Sequence, residues 1–201
     1  MLNRDREIVT PLLQPGELLA EAANVSLAPG IPHPPQELLT PRRPSALEQK
    51  IAGPFNSLRK AYAVLNPVSS AVGAVEDRLM NAVPDSVVHG QGMGGSWQSA
   101  AGRFVVRMHD QGASASGLFA VTDRRALMVV DRAKLWQLSE SNAVHWEASR
   151  AELVEVRRNA KGVLQRGRLD LVFADGSWAG IVTGLPANAD PLAAAFAHRP
   201  Y

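Results

Sequence analysis

From residue 102 to residue 183 the sequence is a succession of seven short apolar runs separated by turn residues, and this pattern constrains the fold more than any other feature. The runs are "GRFVVRM" (102–108), "GLFAVT" (117–122), "ALMVVD" (126–131), "AVHWEA" (143–148), "ELVEVR" (152–157), "RLDLVF" (168–173) and "SWAGIVT" (177–183). In "RLDLVF" the residues Leu169, Leu171 and Phe173 share one face, as a half-buried antiparallel strand requires. Asp175-Gly176 joins that run to the next as a tight hairpin, with positive φ expected at both central positions. The chain then offers Asp190 as a cap, Pro191 at a first helical position, and Leu192 and Phe196 four apart on one helical edge. Many antiparallel strands followed by one helix predict an α+β fold, mainly a small antiparallel barrel or sandwich closed by a C-terminal helix.

The first hundred residues obey different periods. "PGELLAEAANVSLAPG" (15–30) lies between two Pro-Gly turn signals, and its "AANVSL" half alternates as an extended segment does. Six of the fourteen prolines fall between 29 and 44, a density that forbids helix and central strand and predicts a stiff connector. Ser45 and Glu48 have capping-box spacing. From there Leu47, Ile51, Phe55, Leu58, Tyr62 and Leu65 recur at helical steps, with a kink expected at Gly53-Pro54. After Asn66-Pro67 the spacing continues through Val68, Val72, Val75, Leu79 and Val83, so the segment predicts an α-helical hairpin, two antiparallel helices with facing apolar stripes. "HGQGMGGS" (89–96) then reads as a flexible Gly-rich joint, and "SWQSAAG" after it as a poor helix former.

Residues 117 to 183 resemble the bacterial pleckstrin-homology-like and GRAM-like domains. The resemblance rests on Gly117 with Thr122-Asp123-Arg124-Arg125, on "VHWEASRAELVEV" (144–156), and on Phe173-Ala174-Asp175-Gly176. It extends to "LLQPGELLAEAANV", which is similar to an "L-x-P-G-E" lead-in to a first strand. The resemblance implies a partly open seven-stranded barrel plugged at one end by a helix, matched here by Leu192 and Phe196, and a binding role with no catalytic residues. It also implies three parts: residues 1–27 with the first barrel strand, an insertion at 28–100, and the barrel core at 101–201. The basic loop of phosphoinositide-binding members falls where this chain carries its insertion, so headgroup specificity does not transfer. Thr122-Asp123-Arg124-Arg125 is expected to be a strand-to-strand corner, with Thr and Asp bonded to turn N–H groups and the Arg pair facing solvent or a carboxylate.

Charge and composition narrow the function. Lys and Arg total 21 against 19 Asp and Glu, and residues 1–100 carry eight basic and nine acidic side chains while 101–201 carry thirteen and ten. Neither half has the charge density of a dedicated nucleic-acid binder. There are no cysteines, which removes thiol catalysis, disulfides and Cys-based zinc sites. The five histidines show no i, i+4 pairing, and no metal or cofactor is expected; His145 is expected at the surface of its strand. "GQGMGG" (90–95) matches G-x-G-x-x-G without the strand, helix and acid that a dinucleotide site needs. Ser114 and Ser116 in "GASASG" lack a nucleophile elbow and belong to a mobile loop. The N-terminus has no signal-peptide core and no run is long enough to span a membrane, so a cytoplasmic chain is expected, at most peripheral to the inner membrane face.

Two surfaces remain as candidates. Arg157, Arg158, Lys161, Arg166 and Arg168 lie in a run with no acid and would present cations to an anionic surface from a hairpin tip, with Val163 and Leu164 able to dip into lipid. Leu47, Ile51, Leu58, Tyr62, Val72 and Leu79 form the stripe of the inserted helices, whose polar face carries mixed charge and so favours a protein partner or a homo-oligomer over lipid. Trp97, Trp136, Trp146 and Trp178 are expected to fill the core or brace its rim. The sequence thus predicts a non-enzymatic binding module working through protein contact, with anionic lipid as the alternative ligand.

Overall fold

Six of the seven apolar runs are strands, and the segment ahead of the prolines is another. The computed structural model describes residues 3–40, 90–110, 116–131, 141–161 and 165–198. Its strands are β1 (Leu19–Leu27), β2 (Met93–Gly94), β3 (Ser116–Thr122), β4 (Arg125–Asp131), β5 (Asn142–Ser149), β6 (Leu153–Arg158), β7 (Arg168–Phe173) and β8 (Trp178–Thr183). Its α-helices are α1 (Asn3–Val9), α2 (Ala100–His109) and α3 (Ala189–Ala197).

The strands form one antiparallel sheet in the order β5-β4-β3-β1-β8-β7-β6, with β2 added to β8. Strand β1 joins the two halves, pairing with β3 along its length and with β8 through Val25, Ser26 and Leu27. Strands β5 and β6 follow each other in sequence but lie at opposite ends of the order and do not pair, so the sheet is open. Helix α2 packs against β5 at one end and β7 and β8 toward the other, while α3 packs against β6, β7, β1 and β3. The sheet therefore wraps around both helices. Their shared core contains Phe104, Val105 and Met108 from α2, Leu192 and Phe196 from α3, and Phe119, Met128, Leu169, Leu171 and Ile181 from the sheet. A second cluster, on the other face of β1, β3 and β4, packs Ala22, Leu118, Ala120, Leu127 and Val129 against Val9, Ile8 and Leu12 of the N-terminal segment. Burial on both faces explains why "GLFAVT" and "ALMVV" are continuous apolar runs and not alternating ones.

Several sequence expectations are corrected. "GRFVVRM" is helix α2, not a strand: Ala101, Phe104, Val105 and Met108 are all buried at helical spacing. Ser99 caps it by accepting from Gly102 N at 3.2 Å, so "SWQSAAG" is a helix start. The Gly-rich stretch is a packed seam and not a flexible joint. Gly92 N donates to Gly30 O at 3.0 Å, and Gly92 O accepts from Gly180 N at 2.8 Å. A Cβ on Gly92 would stand 2.3 Å from Ile31 N, which only glycine avoids. At the Asp175-Gly176 turn only Gly176 has positive φ, at 79°. Gly176 N donates to Phe173 O and Phe173 N to Ser177 O, a three-residue loop ending in a left-handed glycine. Asp190 does not cap α3, whose N-cap is Asn188 without a side-chain bond; it binds Arg158 instead.

Candidate functional site

The Thr122-Asp123-Arg124-Arg125 corner is a structural joint. Thr122 Oγ1 accepts from Arg124 N and Arg125 N at 3.2 and 2.9 Å, which closes the turn. Asp123 does not bond the turn; its Oδ1 accepts from Leu18 N at 2.9 Å. Arg125 grips Glu17 through Nε and Nη2 at 2.9 and 2.8 Å and also pairs with Glu147. The Glu17 carboxylate, its side chain fully buried, accepts further from Thr122 Oγ1 and Gln14 N, both at 2.7 Å. The bonds from Arg125 hold its pKa down at about 2 against the opposing effect of burial. The two halves of the sequence resemblance, the Pro-Gly-Glu lead-in and the Thr-Asp-Arg-Arg corner, are thus one interlocked unit.

The five cations of the 157–168 run do not form one surface. Arg168 is fully buried, its guanidinium bonded to Asp170 Oδ1 (2.9 Å), Gln165 Oε1 (2.7 Å) and Gln91 O (2.9 Å). Arg168 and Asp170, two residues apart, share the face of β7 opposite Leu169, Leu171 and Phe173 and are buried there beside Gln91, Gln165 and Trp178, so the assignment of Arg168 to an anionic surface is corrected. Arg158 donates to Asp190 Oδ1 at 2.8 Å and to Arg168 O at 3.2 Å. Arg157 has a half-exposed side chain whose nearest carboxylate, Asp170, is 3.8 Å away. Lys161 lies over Gly90, and Arg166 is exposed beside a cleft of about 510 Å³ lined also by Ser26, Ser116 and Thr183. Val163 and Leu164 lie outside the described residues.

Two grooves flank the open ends of the sheet. One, about 490 Å³, is lined by Arg103, Arg107, Trp146, Glu147, Glu152 and Phe173. Its acids are engaged in structure. Asp175 accepts from Ala100 N at 2.8 Å and Glu152 from Ser149 N at 2.9 Å, and these N–H groups lower the pKa of each carboxyl. The other, about 540 Å³, lies between β6 and α3, lined by Arg150, Val154, Glu155, Arg157 and Arg158 opposite Ala193, Ala194, Phe196 and Ala197. Val154 is 44% exposed because it is the extra residue of a bulge: Leu153 pairs with Phe173 and Glu155 with Val172. Arg150 reaches from the β5–β6 turn to the end of α3, donating to Thr122 O (2.7 Å), Ala195 O (3.4 Å) and Phe196 O, with its guanidinium 4.6 Å over the Phe196 ring. Sequence reading missed this groove. The signals were Val154 beside Leu153, one apolar residue too many for strand alternation, and the run of alanines in "PLAAAFA".

Trp146 packs edge-on to Phe104 and Phe173, and Trp97 lies against the same core, whereas Trp136 lies outside the described residues. Trp178 lies under Arg168, 5.7 Å from its guanidinium carbon. His145 is buried, not at the surface. It is the extra residue between the pairs Met128–Trp146 and Val129–Val144, and its Nε2 lies 2.6 Å from Arg107 O. No group of three metal-ligating side chains occurs among the described residues, and none of their helices is long and apolar enough to cross a membrane. Leu47, Ile51, Leu58, Tyr62, Val72 and Leu79 lie outside the described residues; the segment containing them leaves after Thr40 and returns at Gly90, where Gly30 and Gly92 bond each other. Compared with protein-family models, curated proteins and solved structures, the chain matches none.

Proposed function

We propose that this chain is a non-enzymatic binding module of the pleckstrin-homology-like or GRAM-like kind, its sheet a partly open barrel, acting through protein contact. The contact is made by the stripe of Leu47, Ile51, Leu58, Tyr62, Val72 and Leu79, in the first instance with a second copy of the chain. The observation that carries this reading is how the two roots of the 41–89 segment are held: Thr40 N and Oγ1 donate to Asp110 at the end of α2 at 3.0 and 3.3 Å, and the chain that resumes at Gly90 is tied through Gly92 to Gly30 O and Gly180 N at β8, so the scaffold presents that segment from a fixed base. Side chains that a catalytic reading would recruit are committed elsewhere: Glu17 and Arg125 to each other, Asp175 to the start of α2, and Arg168 and Asp170 to each other. Sedimentation velocity on the full chain and on a variant with residues 45–83 replaced by a short Gly-Ser linker tests this reading. An assembled full chain and a monomeric variant are expected.

A second reading, attraction to an anionic membrane surface, keeps Arg157, Lys161 and Arg166 as its cations. Three such side chains contribute on the order of 1 kcal/mol each near anionic lipid. That reading predicts co-sedimentation with anionic vesicles at low salt, loss of it at high salt, and none with neutral vesicles. Recovery of all the protein in the supernatant under every condition rules it out.

A further inference from the structure

We infer that His33 and His109 form a pH-operated clasp: paired while uncharged, they seat the 31–40 connector on the end of α2, and when both take up protons they release it. Two consecutive residues at that helix end each hold one point of the connector. His109 meets His33 with ring centroids 4.8 Å apart and planes inclined at 51°, and Asp110 accepts from Thr40 N and Oγ1 at 3.0 and 3.3 Å. Between the two points the connector is stiff. Pro32, Pro34 and Pro35 fix the backbone of its first half, and the bonds from Leu38 N to Pro35 O and Leu39 N to Gln36 O close a 3-10 turn in its second. A displacement at His33 therefore reaches Thr40, the root of the 41–89 segment.

The charge state of the two rings decides whether they attract or repel. Neutral rings at this separation and inclination make a favourable aromatic contact. His33 Nδ1 donates to Pro34 O at 2.9 Å, so its second proton enters at Nε2. Two imidazolium rings at the same separation repel, and the two sites titrate as a coupled pair. His109 stands in the last turn of α2, where the helix dipole favours a cation. Its pKa is nevertheless held below the ordinary 6.5, because burial and the charge of His33 outweigh the pull of Asp110. Among the described residues these are the charged groups that act on it, His33 from the connector and Asp110 from its own helix end. The released ring thus takes up its proton more readily than the clasped one. The contact is at full strength above about pH 6.5 and is lost as the pH falls below that value.

The test is amide exchange at Thr40 N in the full chain, measured by NMR at about pH 7.5 and about pH 5.5, a span that crosses the ordinary pKa of imidazole. Rates are corrected for the intrinsic pH dependence of exchange. Release is expected to raise the corrected rate about tenfold at the lower pH. His33→Phe and His109→Phe each keep a pair of rings of which only one can be charged, and each is expected to hold the corrected rate within about twofold across the span. In His33→Phe the His109 resonances should titrate at higher pH than in the parent chain, since the neighbouring charge is gone. Equal corrected rates in the parent at both pH values overturn the inference, as does a tenfold change that persists in both variants. Thr40 N is read directly, whatever the mass of the assembly, so this proposal and assembly through the 45–83 stripe fail separately.

Discussion

Glu17 and Arg125 are 108 residues apart in the chain and share two hydrogen bonds in a site from which water is nearly excluded. Taking away one partner of a buried ion pair leaves the other charged and unpaired, so Glu17→Gln is expected to destabilise the fold by about 3 kcal/mol, read by chemical denaturation. Its pH dependence follows from the lowered pKa. A carboxyl depressed from 4.5 to about 2 contributes stability that is full above the unfolded value and is lost as pH falls from about 4.5 toward 2. The Glu17→Gln variant should therefore lose less stability across that window than the parent chain. The corner itself was legible from Thr122-Asp123-Arg124-Arg125, since hydroxyl and carboxylate turn chemistry is local. Its partner was not, because nothing in "LQPGE" states which distant cation its carboxylate meets. Arg168 was misread for the related reason that an acid-free stretch of sequence need not be acid-free in space.

At the scale of elements, six strands and the terminal helix could be read from period and turn residues alone. The exception, α2, shows where that reading fails. Phe-Val-Val is a favourable strand sequence, and it was read within 102–108, where two flanking arginines mimic alternation. Extending the window back to Ala101 restores the helical spacing that tertiary packing selects. Ser99→Ala removes the side-chain acceptor at the start of this helix and is expected to lower stability by about 1 kcal/mol without altering the strand content seen by circular dichroism. The glycine seam was misread as flexible because composition reports conformational freedom and not contact. Gly92→Ala places a methyl against the backbone of Gly30 and Ile31, so thermal unfolding of that variant should begin lower, by about 2–4 °C per kcal/mol of strain for a chain of this length. An unchanged melting temperature would return the seam to the status of a joint.

For the whole molecule, the open sheet and the seam assign different work to different parts. Two helices fill the inner face, the N-terminal segment covers part of the outer face, and the 49-residue excursion from 41 to 89 leaves from Thr40, bonded to Asp110 at the end of α2, and resumes at Gly90 beside Gly30 and β8. The resemblance implied an insertion at 28–100 and helical spacing marked a hairpin within it, whereas the bonds that hold its roots, Thr40 to Asp110 and Gly92 to Gly30 and Gly180, are ones no sequence pattern announces. A scaffold whose buried charges are spent on its own joints is suited to hold a binding element, and the stripe at 45–83 is the element proposed. Sedimentation velocity of the full chain beside the variant lacking 45–83 tests that claim most directly. The account predicts a mass above the 21.6 kDa monomer for the full chain and the mass of a single shortened chain for the variant, and monomers in both samples would contradict it.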